Sequence, residues 1–527
     1  MLTRNKNIEE ALKEVVEITN GSFCYTQDGY TFLLEVKKVD EAVLIKRNYK
    51  VDVSENKPSL RGYAPSKSSM KKIVAYFLYN LHKFEGLLLN EDESFYLIIQ
   101  SMEKKTNKKQ HHTDKRVASR FSIEEVVEAM HYVAGGYVVK EDRGSVSIAN
   151  RKNFTIQGFG FDLDRKNAWR KAALEYLERY ASAQTLPHTI IDTYQLLSEK
   201  ANVIHPRKLG LYEKEQSDRH HLSQFSEKEL VEWVRGRSLR TNEGTYVAKQ
   251  YVQYLKEGWL HHFVYDNSNG CAIGNTLEEA SLYSILECLE RDVFFRCWFG
   301  NEPKRKLHLT DERFLNITIQ AEIFKEKGYK LEFYLLDNAA NIPVIWALLQ
   351  NEQKEPAIYS ITGLGCHLQL EVAIQSAFYE LFNAYQGLTT LHPAELEKKK
   401  RTAIEGEKLK TIDDHFYFFA SETSKSFIEE KIVGTKSILY EQVKEMSFCH
   451  ESVTTELNFL VERLRTVYED VIVVEQTNTV LQALSLHCTK AFLINAIPVD
   501  FTTELIRRNG TKYDDWKKEK KNIHPLA

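Results

Sequence analysis

The feature that most constrains this chain is a motif that occurs twice, as LEYLERY at 174–180 and as LECLERD at 286–292. In each copy two glutamates stand three residues apart, and an arginine follows the second glutamate directly. On an α-helix the two carboxylates then share a face, and such a face can bind a divalent cation. The residues concerned are Glu175, Glu178, Arg179, Glu287, Glu290 and Arg291.

The second copy lies in the run EEASLYSILECLERDVFFRCWF, which leaves almost no polar stripe for solvent. A helix that is apolar nearly all round is buried, and a buried charge is costly unless it has a partner. Taken singly, ExxER is an ordinary helix string in which glutamate pairs with arginine across a turn. Two copies in apolar helices favour a site for Mg²⁺ and phosphate, because Mg²⁺ prefers oxygen ligands and arginine suits phosphate oxygens.

Length and composition exclude several classes of protein. A chain of 527 residues with 43% hydrophobic residues predicts a globular protein of one large domain with an extension, or of two or three domains. The net charge of -3 gives no argument for nucleic acid or an anionic membrane as the main partner. Seven cysteines without a CxxC argue against structural zinc and indicate a reducing compartment. We find no signal peptide and no run of about 18 apolar residues, and we expect a cytoplasmic protein.

The clearest break in the sequence is the polar, lysine-rich stretch 103–116. We predict a domain boundary there, between a small N-terminal α/β module at 1–115 and a main domain at 116–527. The module should contain strands within 23–36 and 41–53 and a helix at 68–89.

Three times in the main domain a glycine-containing stretch leads into an acidic helix. These stretches are GFG at 158–160, SNGCAIG at 268–274 and GLG at 363–365, and the third helix contains Glu380. Glycine turns before helices can bind phosphate through backbone N–H groups, but they can equally be tight turns between a strand and a helix. The sequence has no Walker A motif and no immediate Rossmann GxGxxG, so both interpretations stay open.

These three stretches together resemble the signature blocks of the YcaO family: 158–180, 268–292 and 363–381, with similarity over about 116–527. The resemblance implies an α/β (α+β) fold with mixed or antiparallel sheets flanked by helices. It also implies that the protein binds ATP and Mg²⁺ and activates backbone amides in ribosomally made peptides.

Further residues resemble the azoline-forming branch of that family, namely ERDVFFRCW, AFLINAIPVDFTTELIRRNG and the closing NIHPLA. In that branch, known from microcin-, streptolysin- and thiopeptide-type pathways, a Cys, Ser or Thr side chain attacks the preceding amide. The amide oxygen is phosphorylated by ATP and leaves as phosphate. The resemblance therefore implies a peptide cyclodehydratase, for which positioning and charge neutralisation are the main tasks.

The resemblance also assigns roles to residues. It implies Glu287, Glu290 and Arg291 as catalytic and Glu175, Glu178, Glu287 and Glu290 as metal ligands. For each arginine, a salt bridge to its neighbouring glutamates is an equally good interpretation. The implied nucleotide-binding set is Lys171, Glu175, Glu178, Arg179, Ser268, Asn269, Glu287, Glu290, Arg291, Glu380 and Asn383.

Some positions depart from the family pattern. Lys171 stands where the family usually has serine, and Asn383 and Tyr385 stand where it usually has glutamine and arginine. The tail ends in His524-Pro525-Leu526-Ala527 rather than in alternating prolines. Two other functions therefore stay open: formation of a thioamide or amidine at the same ATP site, or a weakened subunit that acts as a scaffold.

The partners are also implied by the resemblance. They are a precursor peptide with a leader, and a separate leader-binding protein related to ubiquitin-activating enzymes, since about 115 residues are too few for that module to be fused here. A flavin-dependent dehydrogenase could act afterwards, although the chain has no flavin or nicotinamide fingerprint. We expect a homodimer.

Overall fold

The computed structural model describes four strands in the N-terminal region, residues 130 and 133, and residues 136–526. Within the last range it leaves out 143–144, 162–164, 185, 187–188, 255–257, 355, 407–408, 451 and 519–521.

The N-terminal strands form an antiparallel sheet in the order β1-β2-β3-β4. The strands are β1 (Asn20–Gln27), β2 (Tyr30–Val39), β3 (Ala42–Asn48) and β4 (Phe95–Gln100). The strands predicted within 23–36 and 41–53 are confirmed. The predicted helix at 68–89 and the linker at 103–116 lie outside the described residues, and the domain boundary stays a prediction.

A second, three-stranded antiparallel sheet comes next and packs against a long helix. Its strands are β5 (Tyr137–Asp142), β6 (Ser145–Asn150) and β7 (Gln157–Phe161), and the helix is α1 (Arg165–Ala183). Alternate residues of β6, among them Val146 and Ile148, are buried. That period of two places one face of the sheet against the buried alanines of α1.

A six-stranded sheet joins distant parts of the chain in the order β10-β9-β17-β18-β11, with β8 pairing β9. All of its ladders are antiparallel. Its strands are β8 (Ile190–Thr193), β9 (Leu230–Ser238), β10 (Gly244–Ala248), β11 (Cys271–Gly274), β17 (Val471–Glu475) and β18 (His487–Leu493).

A five-stranded mixed sheet has the order β15-β14-β13-β12-β16, in which only β12 and β16 are parallel. Its strands are β12 (Lys304–His308), β13 (Tyr329–Leu336), β14 (Val344–Asn351), β15 (Ser360–Cys366) and β16 (Lys436–Leu439).

Further helices flank these sheets. Those of the described part of the chain are α2 (Tyr194–Ser198), α3 (Lys214–Arg219), α4 (Lys249–Val252), α5 (Leu277–Gly300), α6 (Leu315–Glu326), α7 (Leu370–Thr389), α8 (Pro393–Glu405), α9 (Ile412–Phe419), α10 (Lys425–Ile432), α11 (Val453–Leu464) and α12 (Thr479–Ala483).

Helix α5 runs through the largest apolar core and is buried on most sides, as its sequence predicts. It begins where the Thr276 side chain accepts the amide hydrogen of Glu279 and ends at Asn301, whose φ of 57° is left-handed. Mixed and antiparallel sheets flanked by helices are the fold class expected from the sequence, and that expectation is confirmed. Among the described residues no helix has the length and apolarity needed to cross a membrane.

Two of the three glycine stretches differ from both interpretations made from the sequence, whereas Gly270 of the stretch at 268–274 lies in a turn with a left-handed φ of 78°. Gly158 and Gly160 lie within strand β7, and Gly363 and Gly365 lie within strand β15, so neither pair forms a turn or a phosphate loop. A Cβ on Gly160 would come within 2.0 Å of the Ala168 carbonyl oxygen, because the helix backbone packs directly on the strand. These glycines therefore permit close contact between strand and helix.

Candidate active site

The site is built from two copies of one strand–helix unit, β7 with α1 and β15 with α7. In the first copy the amide of Phe159, between two glycines, donates to Glu175 Oε2 at 2.9 Å. In the second copy the amide of Leu364, also between two glycines, donates to Glu380 Oε2 at 2.6 Å. Both hydrogen bonds span 16 residues, so Glu175 and Glu380 occupy equivalent positions.

The packing of the two units is equivalent as well. A Cβ on Gly158 or Gly160 would meet the backbone of α1, and a Cβ on Gly363 or Gly365 would meet the backbone of α7 at 2.2 or 2.1 Å. Strands β7 and β15 are both end strands of their sheets. Each glutamate thus caps an unpaired sheet edge, and the edge amide fixes where the carboxylate lies.

The third helix, α5, carries the second ExxER motif and connects the two units. Arg291 lies 3.7 Å from Glu290 of its own helix and 3.7 Å from Glu380 of α7. Arg179 pairs with glutamates of its own helix, at 3.2 Å from Glu175 and 3.6 Å from Glu178, and its charge also acts on Glu287 of α5. Both arginines brace glutamates in this structure, which is one of the two interpretations that the sequence left open.

Burial makes the charged form of these carboxyls unfavourable. It is the main cause that raises the pKa of Glu178 well above its usual value and also raises the pKa of Glu287 and Glu380. For Glu290 burial raises the pKa to about 8, while Arg291 and the amide of Cys366 act in the opposite direction. Neighbouring glutamates raise the pKa of all four of these carboxyls further, because like charges repel.

This charge balance fits a divalent cation. Five glutamates, 175, 178, 287, 290 and 380, act on one another electrostatically, whereas Arg179 and Arg291 are the guanidinium groups beside them. The donors are all hard oxygens, which Mg²⁺ prefers. In the described part of the chain no three His, Cys, Asp or Glu side chains are already arranged around a common metal position. The composition of the site therefore fits Mg²⁺, while the carboxylates are spread over three helices.

Two unusual residues of the sequence lie on the helices that carry the cluster, Lys171 on α1 and Asn383 on α7. The Lys171 ammonium lies 5.1 Å from the ring centre of Tyr379, which places α1 beside α7. Asn383 accepts a 3.4 Å hydrogen bond from Ser145 of β6. Tyr385, by contrast, is buried in a separate core against Phe324 and does not face the cluster.

The SNG loop lies at the end of β18 rather than among the glutamates. Asn269 lines a small cavity of about 60 Å³ together with Asp266, Lys490 and Arg507, and its side-chain oxygen has no hydrogen-bond partner. The Ser268 carbonyl accepts the amide hydrogen of Cys271. The loop also packs on α5, since a Cβ on Gly270 would lie 2.5 Å from Sγ of Cys288, the residue after Glu287. Among the described residues the loop makes no hydrogen bond or ion pair with the five glutamates.

Lys490 and Asp266 support this loop, and sequence reasoning missed both. The buried Lys490 ammonium lies 3.3 Å from Asp266 and donates to the Asn267 carbonyl at 2.5 Å. It also favours the charged form of Glu287. A single lysine within the apolar run CTKAFLINAIP was a usable signal, since a lone charge in a buried strand needs a partner.

The tail is docked in the core. His524 stacks on His415 with ring centres 4.2 Å apart, and the Trp298 indole of α5 donates to the Ile523 carbonyl at 2.8 Å. Burial lowers the pKa of His524 well below its usual value, so the imidazole is neutral. The tail thus packs on the same helix that carries Glu287 and Glu290.

Comparison with known proteins identifies the class. The sequence model of the YcaO family, described as a YcaO cyclodehydratase that binds ATP and Mg²⁺, matches residues 159–493. This match covers more than half of the chain, and the chain belongs to the YcaO family. The expectation of ATP and Mg²⁺ is confirmed at the level of the family.

Individual relatives are more distant. An uncharacterized protein of Methanothermobacter thermautotrophicus is 25% identical over 303 residues, which are 56% of this chain and 72% of that protein. A solved heterocyclase in complex with substrate and cofactor has a TM-score of 0.57 at 18% identity, over 71% of this chain and 52% of that one. The chain therefore spans about half the length of that heterocyclase.

A component of the E. coli microcin synthetase McbBCD complex has a TM-score of 0.51 at 13% identity, over 74% of this chain and 96% of that one. The heterocyclase TruD has a TM-score of 0.50 at 16% identity, over 69% and 57%. At these identities the likeness establishes the fold.

Proposed function

We propose that this chain is an ATP-dependent cyclodehydratase that converts Cys, Ser or Thr residues of a ribosomally made peptide into thiazolines or oxazolines. One observation carries the proposal: in a YcaO chain, three helices bring five glutamates and two arginines into one half-buried cluster. The sequence stretches around Trp298 and Pro498 resemble the azoline-forming branch of the family. They favour ring closure over formation of a thioamide or amidine.

In the proposed reaction the substrate side chain attacks the carbonyl carbon of the preceding amide, and the oxygen of the adduct receives the γ-phosphoryl group of ATP. The attack itself closes the five-membered ring as the side chain loses its proton, and the phosphoryl transfer releases ADP. Loss of the phosphorylated oxygen as phosphate, with loss of the amide proton, then forms the C=N double bond of the azoline. Loss of the same oxygen as hydroxide would be prohibitive near neutral pH. The protein must therefore align two reactants and neutralise phosphate charge.

The residues divide these tasks. Glu175, Glu178, Glu287 and Glu290 would hold Mg²⁺, which would draw charge from the phosphate oxygens when bound. Arg291 is well placed to release Glu290 and Glu380 and to bind phosphate once a cation neutralises the carboxylates. Arg179 would do the same for Glu175 and Glu178.

The amides of Phe159 and Leu364 hold Glu175 and Glu380 in position from the two sheet edges. Lys171, Asn383, Ser268 and Asn269 would complete the nucleotide site. Lys171 of α1 contacts Tyr379 of α7, and Asn383 of α7 contacts Ser145, which supports a role for these two side chains beside the helices that carry the glutamates.

The proposed partners follow from the same function. We propose a precursor peptide with a leader as the substrate, a separate leader-binding protein as the partner, and a homodimer of this chain. The likeness to a component of the McbBCD complex supports an enzyme that works in an assembly. A flavin-dependent dehydrogenase would oxidise the azoline afterwards.

The decisive experiment combines the protein with ATP, Mg²⁺, the leader-binding partner and a candidate precursor peptide and follows peptide mass. A loss of about 18 Da for each modified residue, with one phosphate released, is expected for cyclodehydration. A gain of about 16 Da would indicate a thioamide instead. An unchanged mass with intact nucleotide binding would assign the chain to scaffolding.

A further inference from the structure

Tyr254 carries a buried hydroxyl group that the function proposed above does not use. The residue lies just after α4 and is 9% exposed. Its hydroxyl oxygen is enclosed, and among the described residues it has no hydrogen-bond partner. A buried polar group without a partner is costly, so a tyrosine at such a position requires an explanation.

The residue before it places Tyr254 beside the last turn of α1. The Gln253 side chain donates to the carbonyl of Ala183 at 3.3 Å, and Ala183 is the final residue of that helix. Glu178 and Arg179 stand about one turn earlier in the same helix. The chain at Tyr254 is therefore attached to the helix that carries the first ExxER motif.

The hydroxyl itself lies at the end of the cluster that contains Glu178 and Arg179. Both of these charges act on it, as does the thiol of Cys271. Tyr254 is in turn one of the groups that act on Arg179. The Arg179 guanidinium is close to the phenol oxygen but too poorly placed for a hydrogen bond of normal geometry. Tyr254 thus borders the candidate active site on its α1 side.

The nearby cation determines which part of the hydroxyl is available. A guanidinium attracts the phenol oxygen and repels its hydrogen, so the O–H bond of Tyr254 turns away from Arg179. Burial raises the pKa of Tyr254, while Arg179 acts in the opposite direction, and the group keeps its proton at neutral pH. Tyr254 is therefore a neutral hydrogen-bond donor without an acceptor, next to carboxylates that suit Mg²⁺.

An anionic oxygen bound in the cluster would supply the missing acceptor. Mg²⁺ is commonly bound by carboxylates together with phosphate oxygens of the ligand, so a phosphate group would lie beside Glu178. A neutral donor suits this position, because it binds a phosphate oxygen without adding a positive charge that repels Mg²⁺. Binding would also remove the cost of the unpaired hydroxyl.

We infer that the Tyr254 hydroxyl donates a hydrogen bond to a phosphate oxygen of the nucleotide, beside Arg179. The inference rests on the ATP site of the proposed function and is independent of the ring-closing reaction. The nearby Tyr251 is different, since its hydroxyl donates to the Gly210 carbonyl at 2.8 Å and so supports the fold. Tyr254 is the tyrosine of this pair whose hydroxyl is left for a ligand.

Isothermal titration calorimetry of Tyr254→Phe tests the inference, because this change removes only the hydroxyl oxygen. In the presence of Mg²⁺ we expect the affinity of the full chain for ATP to fall about 10-fold or more. Inorganic tripolyphosphate, which has neither base nor ribose, should lose affinity by a similar factor.

Tyr513→Phe is the matched control. The Tyr513 hydroxyl is also enclosed and has no hydrogen-bond partner among the described residues, but its main charged neighbours are Asp292 and Arg296. This variant should bind ATP and tripolyphosphate like the parent chain. An unchanged affinity in Tyr254→Phe, or an equal loss in Tyr513→Phe, would overturn the inference. A loss for ATP that tripolyphosphate does not share would overturn it too, as would a parent chain that binds neither ligand.

Melting temperatures separate binding from stability. Without nucleotide, Tyr254→Phe should melt at or above the temperature of the parent, because it loses a polar atom that has no partner. With ATP and Mg²⁺ it should gain less than the parent. A lower melting temperature without nucleotide would show that the hydroxyl is already bonded in the free protein, and the inference would be wrong. Peptide mass is a separate readout, so ATP binding that depends on Tyr254 without cyclodehydration would reject the proposed reaction alone.

Discussion

Glu175 and Glu380 are equivalent residues of two strand–helix units, each held by the amide of the residue between two glycines of its own strand. The equivalence continues along the helices, where Ala168 and Ala172 of α1 match Ala373 and Ala377 of α7 in their contacts with the glycines. The site is thus two similar halves joined by α5. Each half depends on the close fit of a helix backbone against the two glycines of a strand.

That fit predicts the effect of a single methyl group. A Cβ at Gly365 would lie 2.1 Å from the Ala373 carbonyl oxygen, and neither backbone can move without breaking its own hydrogen bonds. We expect Gly365→Ala to lower the free energy of unfolding by about 3 kcal/mol. Gly387→Ala is the control, in helix α7 that packs on Gly365, because nothing lies within 4 Å of its Cβ. It should stabilise the protein by about 0.5–1 kcal/mol. Urea titrations would measure both changes, and equal effects would contradict this account.

Turnover should depend on the carboxylates of α5. We expect Glu287→Gln and Glu290→Gln each to reduce phosphate release and peptide mass change by about 100-fold or more, because each removes a charge that would hold Mg²⁺. The fold should survive, since glutamine resembles the protonated carboxyl that burial favours. Glu462→Gln, on the exposed surface of α11, is the control and should keep full activity. Full activity in both α5 variants would remove the site assignment.

Stability should fall as pH rises in the absence of Mg²⁺. The pKa of Glu290 is raised to about 8 in the folded chain. Its unfolded value is about 4.3, so between those values the folded state binds the extra proton. Unfolding therefore becomes easier with rising pH, by up to about 1.4 kcal/mol per pH unit for this group. Melting temperatures at pH 6 and pH 8.5 would measure the slope, and Glu290→Gln should make it shallower. Mg²⁺ with ATP should raise the melting temperature more at pH 8.5. The prediction would be contradicted by a stability that rises with pH and whose slope is unchanged in Glu290→Gln.

The support of the SNG loop gives a further prediction. Lys490→Met leaves the Asn267 carbonyl without its donor, and among the described residues it leaves Asp266 with Arg507 as its only ion-pair partner. Because the lysine is only 1% exposed, we expect a loss of about 3 kcal/mol of stability. Lys398→Met, at an exposed position of α8, should change stability by less than about 0.5 kcal/mol. Denaturant unfolding of the two variants would decide, and a cost at Lys490 below about 1 kcal/mol would show that the loop is held by other contacts.

The sequence predicted the parts of the site that follow from local periodicity. The spacing of Glu287 and Glu290 within an apolar run was enough to predict a buried helix, since a helix that is apolar nearly all round is buried. The approach of Arg291 to Glu380 could not be predicted in the same way, because about 90 residues separate them along the chain and only the sheet topology brings them together.

The glycine stretches show a second limit of prediction from the sequence. GFG and GLG have the composition of turns, yet they are strand residues, because the absence of Cβ allows the helix to pack on the strand. Composition alone does not distinguish a glycine that a turn requires for its φ angle from a glycine that is required because a Cβ would clash with a neighbouring backbone.

Arg179 and Arg291 give the two halves different mechanical properties. The ion pairs of Arg179 lie within one helix, while its charge acts on Glu287 of α5 without forming an ion pair with it. The Arg291 contact with Glu380 joins two helices, so any widening between α5 and α7 separates opposite charges in a half-buried place. The α5–α7 junction therefore resists opening.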